Sequence, residues 1–149
     1  MTQCARAPIG STWTLLFAAW LVAMAGTLGA LFIGEVMGQA PCSLCWYQRI
    51  FMFPLAVLLG IACYAGDRRA GRYALPLAGL GWLVAAYHLL VYAGIVPAEI
   101  VRCGEGPACD DSAMTLFAVV PIPLLSLIAF SAIALLLYLA MKGPSHEPA

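Results

Sequence analysis

"CSLCWYQRIFMFPLAVLLGIACY", residues 42–64, carries one charged side chain, Arg49, in 23 residues. At about 1.5 Å of rise per residue a helix of this length reaches roughly 34 Å, enough to cross the roughly 30 Å of hydrocarbon in a bilayer. A run this apolar could also be a buried helix of a soluble domain, but the composition rejects that. The chain has 149 residues, 64% of them hydrophobic and 9% charged, with mean hydropathy +0.95. A domain of that size cannot hide so much apolar side chain from water. The stretch therefore reads as one span of a polytopic membrane protein, helical because lipid offers backbone groups no other partner.

Working outward, nothing charged lies between Arg6 and Glu35, Arg49 and Asp67, Arg72 and Glu99, or Asp111 and Lys142, and each gap is 17 residues or longer. Four gaps predict four spans, at about residues 13–34, 42–64, 73–96 and 122–141. The whole chain, 1–149, reads as a single integral membrane domain, an all-α four-helix bundle with two extracytoplasmic loops. A cleaved signal peptide is rejected for the first run: it exceeds the 7 to 15 residues of an h-region and three more spans follow.

The run after Asp111, "SAMTLFAVVPIPLLSLIAF", is too long for one straight span, and Pro121 and Pro123 would break a helix interior. Proline suits a first turn. The fourth span is therefore started near Ile122, and residues 112–120 are read as a short interfacial segment on the outer leaflet. One long kinked helix is the alternative.

Arg6, Arg68, Arg69, Arg72 and Lys142, five of the seven basic residues, fall on one side of this topology. Positive-inside makes that side cytoplasmic, with both termini on it. Five of the seven acids, Glu35, Glu99, Glu105, Asp110 and Asp111, fall opposite with the longer loops. The net charge of zero excludes a nucleic-acid binder of the electrostatic kind.

The six cysteines divide by side. Cys42 and Cys45 open the second span on the outer face, and Cys103 and Cys109 sit in the outer loop, residues 97–121. Cys4 and Cys63 belong to the other face, Cys63 being 21 residues down the helix from Cys42, or roughly 31 Å. Both outer pairs lie on an oxidising side and each can close its own disulfide. A Cys-x-x-Cys at a helix start closes a tiny loop, so it removes little unfolded-state entropy and is a poor staple. Its value is chemical: the unsatisfied N–H groups and dipole at a helix N-terminus favour thiolate, the attacking species. Zinc on four cysteines is set aside, because the second pair is Cys-x5-Cys and the outer side does not keep thiols reduced. No metal is expected.

Cys42, Cys45 and Arg49 follow at i, i+3 and i+7, one helix stripe. Arg49 either poises Cys45 and an electron-rich group beside it or snorkels to head groups. His88, the one histidine within a span, lies at a depth matching Arg49. With Trp46, Tyr47 and Tyr87 nearby, the two could line a flat pocket for a ring with hydrogen-bonding oxygens. A structural interhelical hydrogen bond is the other reading of His88. "GEVMG", residues 34–38, is a small-xxx-small pattern that suits helix packing.

The residues "PCSLCWYQRIFMFPLAVLLGIA", with the later "YHLL", "RCGEGPAC" and "IPLLSLIAF", resemble the DsbB/BdbC family of bacterial disulfide-bond formation proteins. The resemblance covers nearly the whole chain, and the short spacing of the second cysteine pair is more similar to the BdbC branch. It implies a protein dithiol:quinone oxidoreductase of the bacterial inner membrane. Such an enzyme reoxidises a thioredoxin-fold dithiol oxidase (DsbA/BdbD-like) outside the cytoplasm and passes the electrons to ubiquinone or menaquinone. On that resemblance Cys42 and Cys45 are the quinone-coupled pair, with Cys45 meeting the ring and Arg49 the quinone-side cation; His88 as a ligand of the ring rests on the depth match alone. Cys103 and Cys109 are the shuttle disulfide, Cys103 taking the soluble partner, and residues 112–120 match a horizontal helix. Gln48 stands where some members carry an acid, so no proton-handling role is assigned to it. Two rivals remain. A vitamin K epoxide reductase-like protein is disfavoured because its shuttle cysteines precede the Cys-x-x-Cys, and a non-catalytic scaffold would hold its cysteines in one redox state.

Overall fold

The computed structural model describes residues 11–39, 41–96, 115–116 and 120–142. Helix α1 (Ser11–Leu31) runs on into a π turn (Phe32–Val36), and α2 (Ser43–Ala65) follows it. A 3₁₀ turn (Arg68–Ala70) leads to α3 (Gly71–Tyr92). A short strand pair, β1 (Thr115–Leu116) and β2 (Val120–Pro121), precedes α4 (Ile122–Lys142). Each of the four helices is long and apolar enough to cross a membrane, α1 with its π turn as Thr12–Val36. The protein is thus an all-α membrane four-helix bundle.

The helices form a ring in which each packs on its sequence neighbours and α4 closes on α1. Short connections make α1 and α2, and α2 and α3, antiparallel, and Gly71 at the start of α3 lies against Met141 at the end of α4, which sets that pair antiparallel too. Near the start of α1, Trp13 Nε1 donates to the Cys63 carbonyl near the end of α2 at 3.3 Å, which places Cys63 at the end of the bundle away from Cys42. Arg69, Arg72 and Lys142 stand at that same end. Leu16, Leu55, Leu59, Phe130, Ile133 and Leu137 fill the axis. The large side chains Leu21, Val57, Ile61, Leu83 and Leu135 point outward and are exposed, as a lipid-facing surface requires.

Close approach of α3 and α4 rests on small residues. Ala74, Ala78, Gly81 and Ala85 are buried along one face of α3. The Phe130 ring sits so close to Gly81 that a Cβ there would overlap it. Pro54 lies inside α2 and Pro76 inside α3, substitutions that membrane helices accept because neighbouring groups re-satisfy the backbone.

Three boundaries bear on the sequence reading. Helix α4 begins at Ile122 with Pro123 as its second residue, where a missing N–H costs nothing, so one long kinked helix is excluded. Helix α3 stops at Tyr92, short of residue 96, because Gly94 takes φ 72°, a left-handed geometry that ends the helical path. Of the segment 112–120, the described residues Thr115, Leu116 and Val120 are extended. Thr115 faces Pro121 and Leu116 faces Val120 in antiparallel register. The horizontal helix implied by the resemblance is not what these three adopt. Val120 is β-branched and precedes a proline, and both facts push it out of helical geometry. In "GEVMG", Gly34 lies in the π turn in close contact with Arg49 of α2, and Gly38 takes φ 67° beyond it.

Candidate functional site

Cys42 caps α2, with φ −67° and ψ 166°. Its Sγ accepts the Cys45 backbone N–H at 3.4 Å and donates to Cys45 Sγ at 3.1 Å. A covalent S–S bond is about 2.05 Å, so a small rotation of either side chain closes the pair. The cap places Cys42 Sγ over the first-turn N–H of Cys45. The two sulfurs have different surroundings. Cys42 is fully buried with Leu44 and Val91, under Tyr87, Val96 and Ile122. Cys45 is half-buried and faces a cavity.

Behind Cys42 stands His88 of α3, fully buried. Its Nε2 is 3.8 Å from Cys42 Sγ, and its Nδ1 is 3.0 Å from Gln48 Nε2. Gln48 is itself buried on α2, at 6% exposure. A glutamine amide can donate to Nδ1 or, after rotation, accept from it, so either neutral tautomer of the ring can be held. Gln48 is therefore a site residue to which the sequence reading assigned no role. Its partner lies 40 residues away on another helix, and only the rotation of α2 against α3 reveals the pairing.

On the other side of α2 a cavity of about 380 Å³ opens between α1, α2 and α4. Its α2 wall carries Cys45, Gln48, Arg49 and Met52. Its α1 wall is Gly26, Gly29 and Ala30, and α4 adds Ile122, Leu125, Ser126 and Phe130. The glycines make the space: a Cβ at Gly29 would meet nothing within 4 Å. Arg49 reaches across it and donates to the Ala30 carbonyl at 2.7 Å, close to the change of helix pitch at the π turn. Such turns gather at functional sites. Its guanidinium also lies 5.7 Å from the centre of the Trp46 ring, a cation–π distance. Arg49 is thus drawn into the bundle instead of snorkelling outward.

The expected pocket shared by Arg49 and His88 is not formed. His88 faces the α2–α3 interface and Arg49 faces α1, so equal depth did not mean a common wall. Trp46, Tyr47 and Tyr87 do not line the cavity either. Trp46 and Tyr47 are more than half exposed and Tyr87 packs over Cys42. Cys103 and Cys109, the expected shuttle pair, lie outside the described residues.

Four membrane-spanning helices with a dithiol capping one of them, beside an apolar cavity, define a multi-pass membrane protein built for thiol chemistry. A family model described as "Disulfide bond formation protein DsbB" matches residues 11–140. The chain is 58% identical over 136 residues to a probable disulfide formation protein of Metapseudomonas resinovorans, covering 91% of this chain and 94% of that one. It is 47% identical over 133 residues to a probable disulfide formation protein of Deinococcus radiodurans, covering 83% and 86%. It is 39% identical over 137 residues to disulfide bond formation protein C of Bacillus subtilis, covering 89% and 95%. No solved structure gives a significant match. The chain belongs to the DsbB family of disulfide bond formation proteins.

Proposed function

We propose that the protein is a dithiol:quinone oxidoreductase that reoxidises a thioredoxin-fold dithiol oxidase outside the cytoplasm. The observation that carries this reading is Cys45, set on the wall of an apolar cavity with Arg49 while its partner Cys42 is buried behind it.

Electrons enter from the soluble dithiol. Its thiolate attacks the Cys103–Cys109 disulfide, and the soluble partner leaves as a disulfide once its second thiol has displaced the mixed bond. Cys103 and Cys109, now dithiol, reduce Cys42–Cys45 by the same exchange. Cys42 and Cys45 then give up two electrons and two protons as their S–S bond re-forms. His88 holds a ring nitrogen beside Cys42 Sγ, where it takes and returns the proton of that thiol, and Gln48 keeps the ring turned to it. Arg49 keeps a permanent positive charge at the cavity wall that it shares with Cys45.

The cavity fits a quinone. Its volume lies in the range of small-molecule sites, its walls are mainly apolar, and Arg49 supplies N–H donors for a ring oxygen. Bound there, a quinone would supply a lipid-soluble two-electron acceptor. Such an acceptor is needed, because a DsbA-type partner near about −120 mV is too oxidising for a thiol relay to regenerate unaided. The positive-inside count supports an orientation in the bacterial inner membrane with both termini cytoplasmic and the Cys42–Cys45 end outside.

Thiol trapping tests the reading. In the reduced protein, addition of a soluble quinone analogue should remove Cys42 and Cys45 from the alkylatable pool, and addition of the reduced thioredoxin-fold oxidase should return them to it. Cysteines that keep their state through both additions contradict it and favour a scaffold.

A further inference from the structure

Four cysteines were weighed above as zinc ligands and set aside on spacing, but the fold supplies a different third donor. The sulfurs of Cys42 and Cys45 and a ring nitrogen of His88 all lie within 4.8 Å of one another. We propose that the reduced dithiol and His88 form a binding site for a soft divalent cation of the zinc or cadmium type.

The distances suit such an ion. A tetrahedral centre with metal–sulfur bonds of about 2.3 Å and metal–nitrogen bonds of about 2.0 Å sets sulfur to nitrogen at roughly 3.5 Å and sulfur to sulfur at roughly 3.8 Å. Cys42 Sγ to His88 Nε2 is 3.8 Å and Cys42 Sγ to Cys45 Sγ is 3.1 Å, so the sulfurs open by about 0.7 Å, while Cys45 Sγ, within 4.8 Å of the ring nitrogen, turns towards it. Binding is charge-balanced: each thiol loses its proton to water, neutral His88 gives a lone pair, and no electron moves. Two thiolates neutralise a divalent ion, which matters where Cys42 and His88 are fully buried. A monovalent soft ion such as Cu(I) would leave a net negative charge there. Gln48, after amide rotation, accepts a hydrogen bond from the Nδ1–H group and holds the ring as a ligand, the usual support for a metal-bound histidine. Cys45 opens on the cavity, which leaves the fourth position to water. Bound metal forbids the Cys42–Cys45 disulfide. On the reading proposed above, which this consequence alone requires, the metal arrests turnover at the reduced stage.

The test uses the full chain in detergent with Cys4, Cys63, Cys103 and Cys109 replaced by Ser, reduced and freed of reductant. Titration with Cd²⁺ should produce thiolate-to-cadmium ultraviolet absorption that saturates at one equivalent, reversed by Zn²⁺ and untouched by Mg²⁺. His88→Ala should weaken binding by about tenfold or more. X-ray absorption of the cadmium form with His88 intact should read two sulfurs and one imidazole nitrogen, so the answer stands even where His88→Ala does not fold. Absence of saturable absorption, unchanged affinity in a folded His88→Ala protein, or a shell without imidazole overturns the site. All readouts are taken without quinone or partner, so failure here leaves the relay standing, and failure of the relay leaves the site standing.

Discussion

Arg49 and Cys45 share a cavity wall, and the charge of Arg49 is tied to a neutral carbonyl. The guanidinium therefore keeps its full charge for whatever enters. A hydrogen bond from a charged donor contributes about 1.5–3 kcal/mol, which is roughly tenfold to a hundredfold in affinity. Arg49→His should raise the apparent KM for a soluble quinone analogue by that factor while the loop disulfide still forms. Steady-state quinone titration reads it, and an unchanged KM would remove Arg49 from the cavity's chemistry. At this scale the sequence was partly legible. Cysteines at i and i+3 and an arginine four residues on declare themselves by spacing alone. His88 and Gln48 do not, since the azimuth of α3 against α2 decides whether a buried histidine meets a sulfur, a glutamine or the cavity.

At the scale of elements, α1 shapes the cavity by what it lacks. Gly26, Gly29 and Ala30 present almost no side chain, so space remains where α1 and α4 meet α2. Gly29 has open room in front of it, and Gly29→Leu should fill the cavity without disturbing the bundle. Quinone reduction should fall at least about tenfold with the Tm within a few degrees of the unsubstituted protein; retained turnover would place the quinone elsewhere. Gly81 is the opposite case, for the Phe130 ring already occupies the place of a Cβ. Overpacking of this kind costs about 1–3 kcal/mol, so Gly81→Ala should lower the Tm in detergent, measured by tryptophan fluorescence, and an unchanged Tm would mean that α3 and α4 separate freely. These roles were hidden because a glycine in an apolar run reads alike whether it faces a ring, a cavity or lipid. The break before α4 was legible, since Pro121 and Pro123 constrain the backbone wherever they sit, and so was the bundle itself, through the gaps between charges. The end of α3 was not, because the left-handed turn at Gly94 falls inside an uncharged run.

Over the whole molecule, the ring of four antiparallel helices puts the Cys42–Cys45 cap at one end and Arg69, Arg72 and Lys142 at the other. In the proposed relay this polarity joins a dithiol on one side of a membrane to an acceptor dissolved within it, and Cys45 is the sulfur at which the two meet. The direct measurement is the rate at which reduced thioredoxin-fold oxidase drives reduction of a soluble quinone analogue by the purified protein, compared with Cys45→Ser. Coupled reduction by the unsubstituted protein and a fall to the background rate in Cys45→Ser are the expected results. Quinone reduction at an undiminished rate by Cys45→Ser, or none by the unsubstituted protein supplied with reduced partner, would contradict the relay.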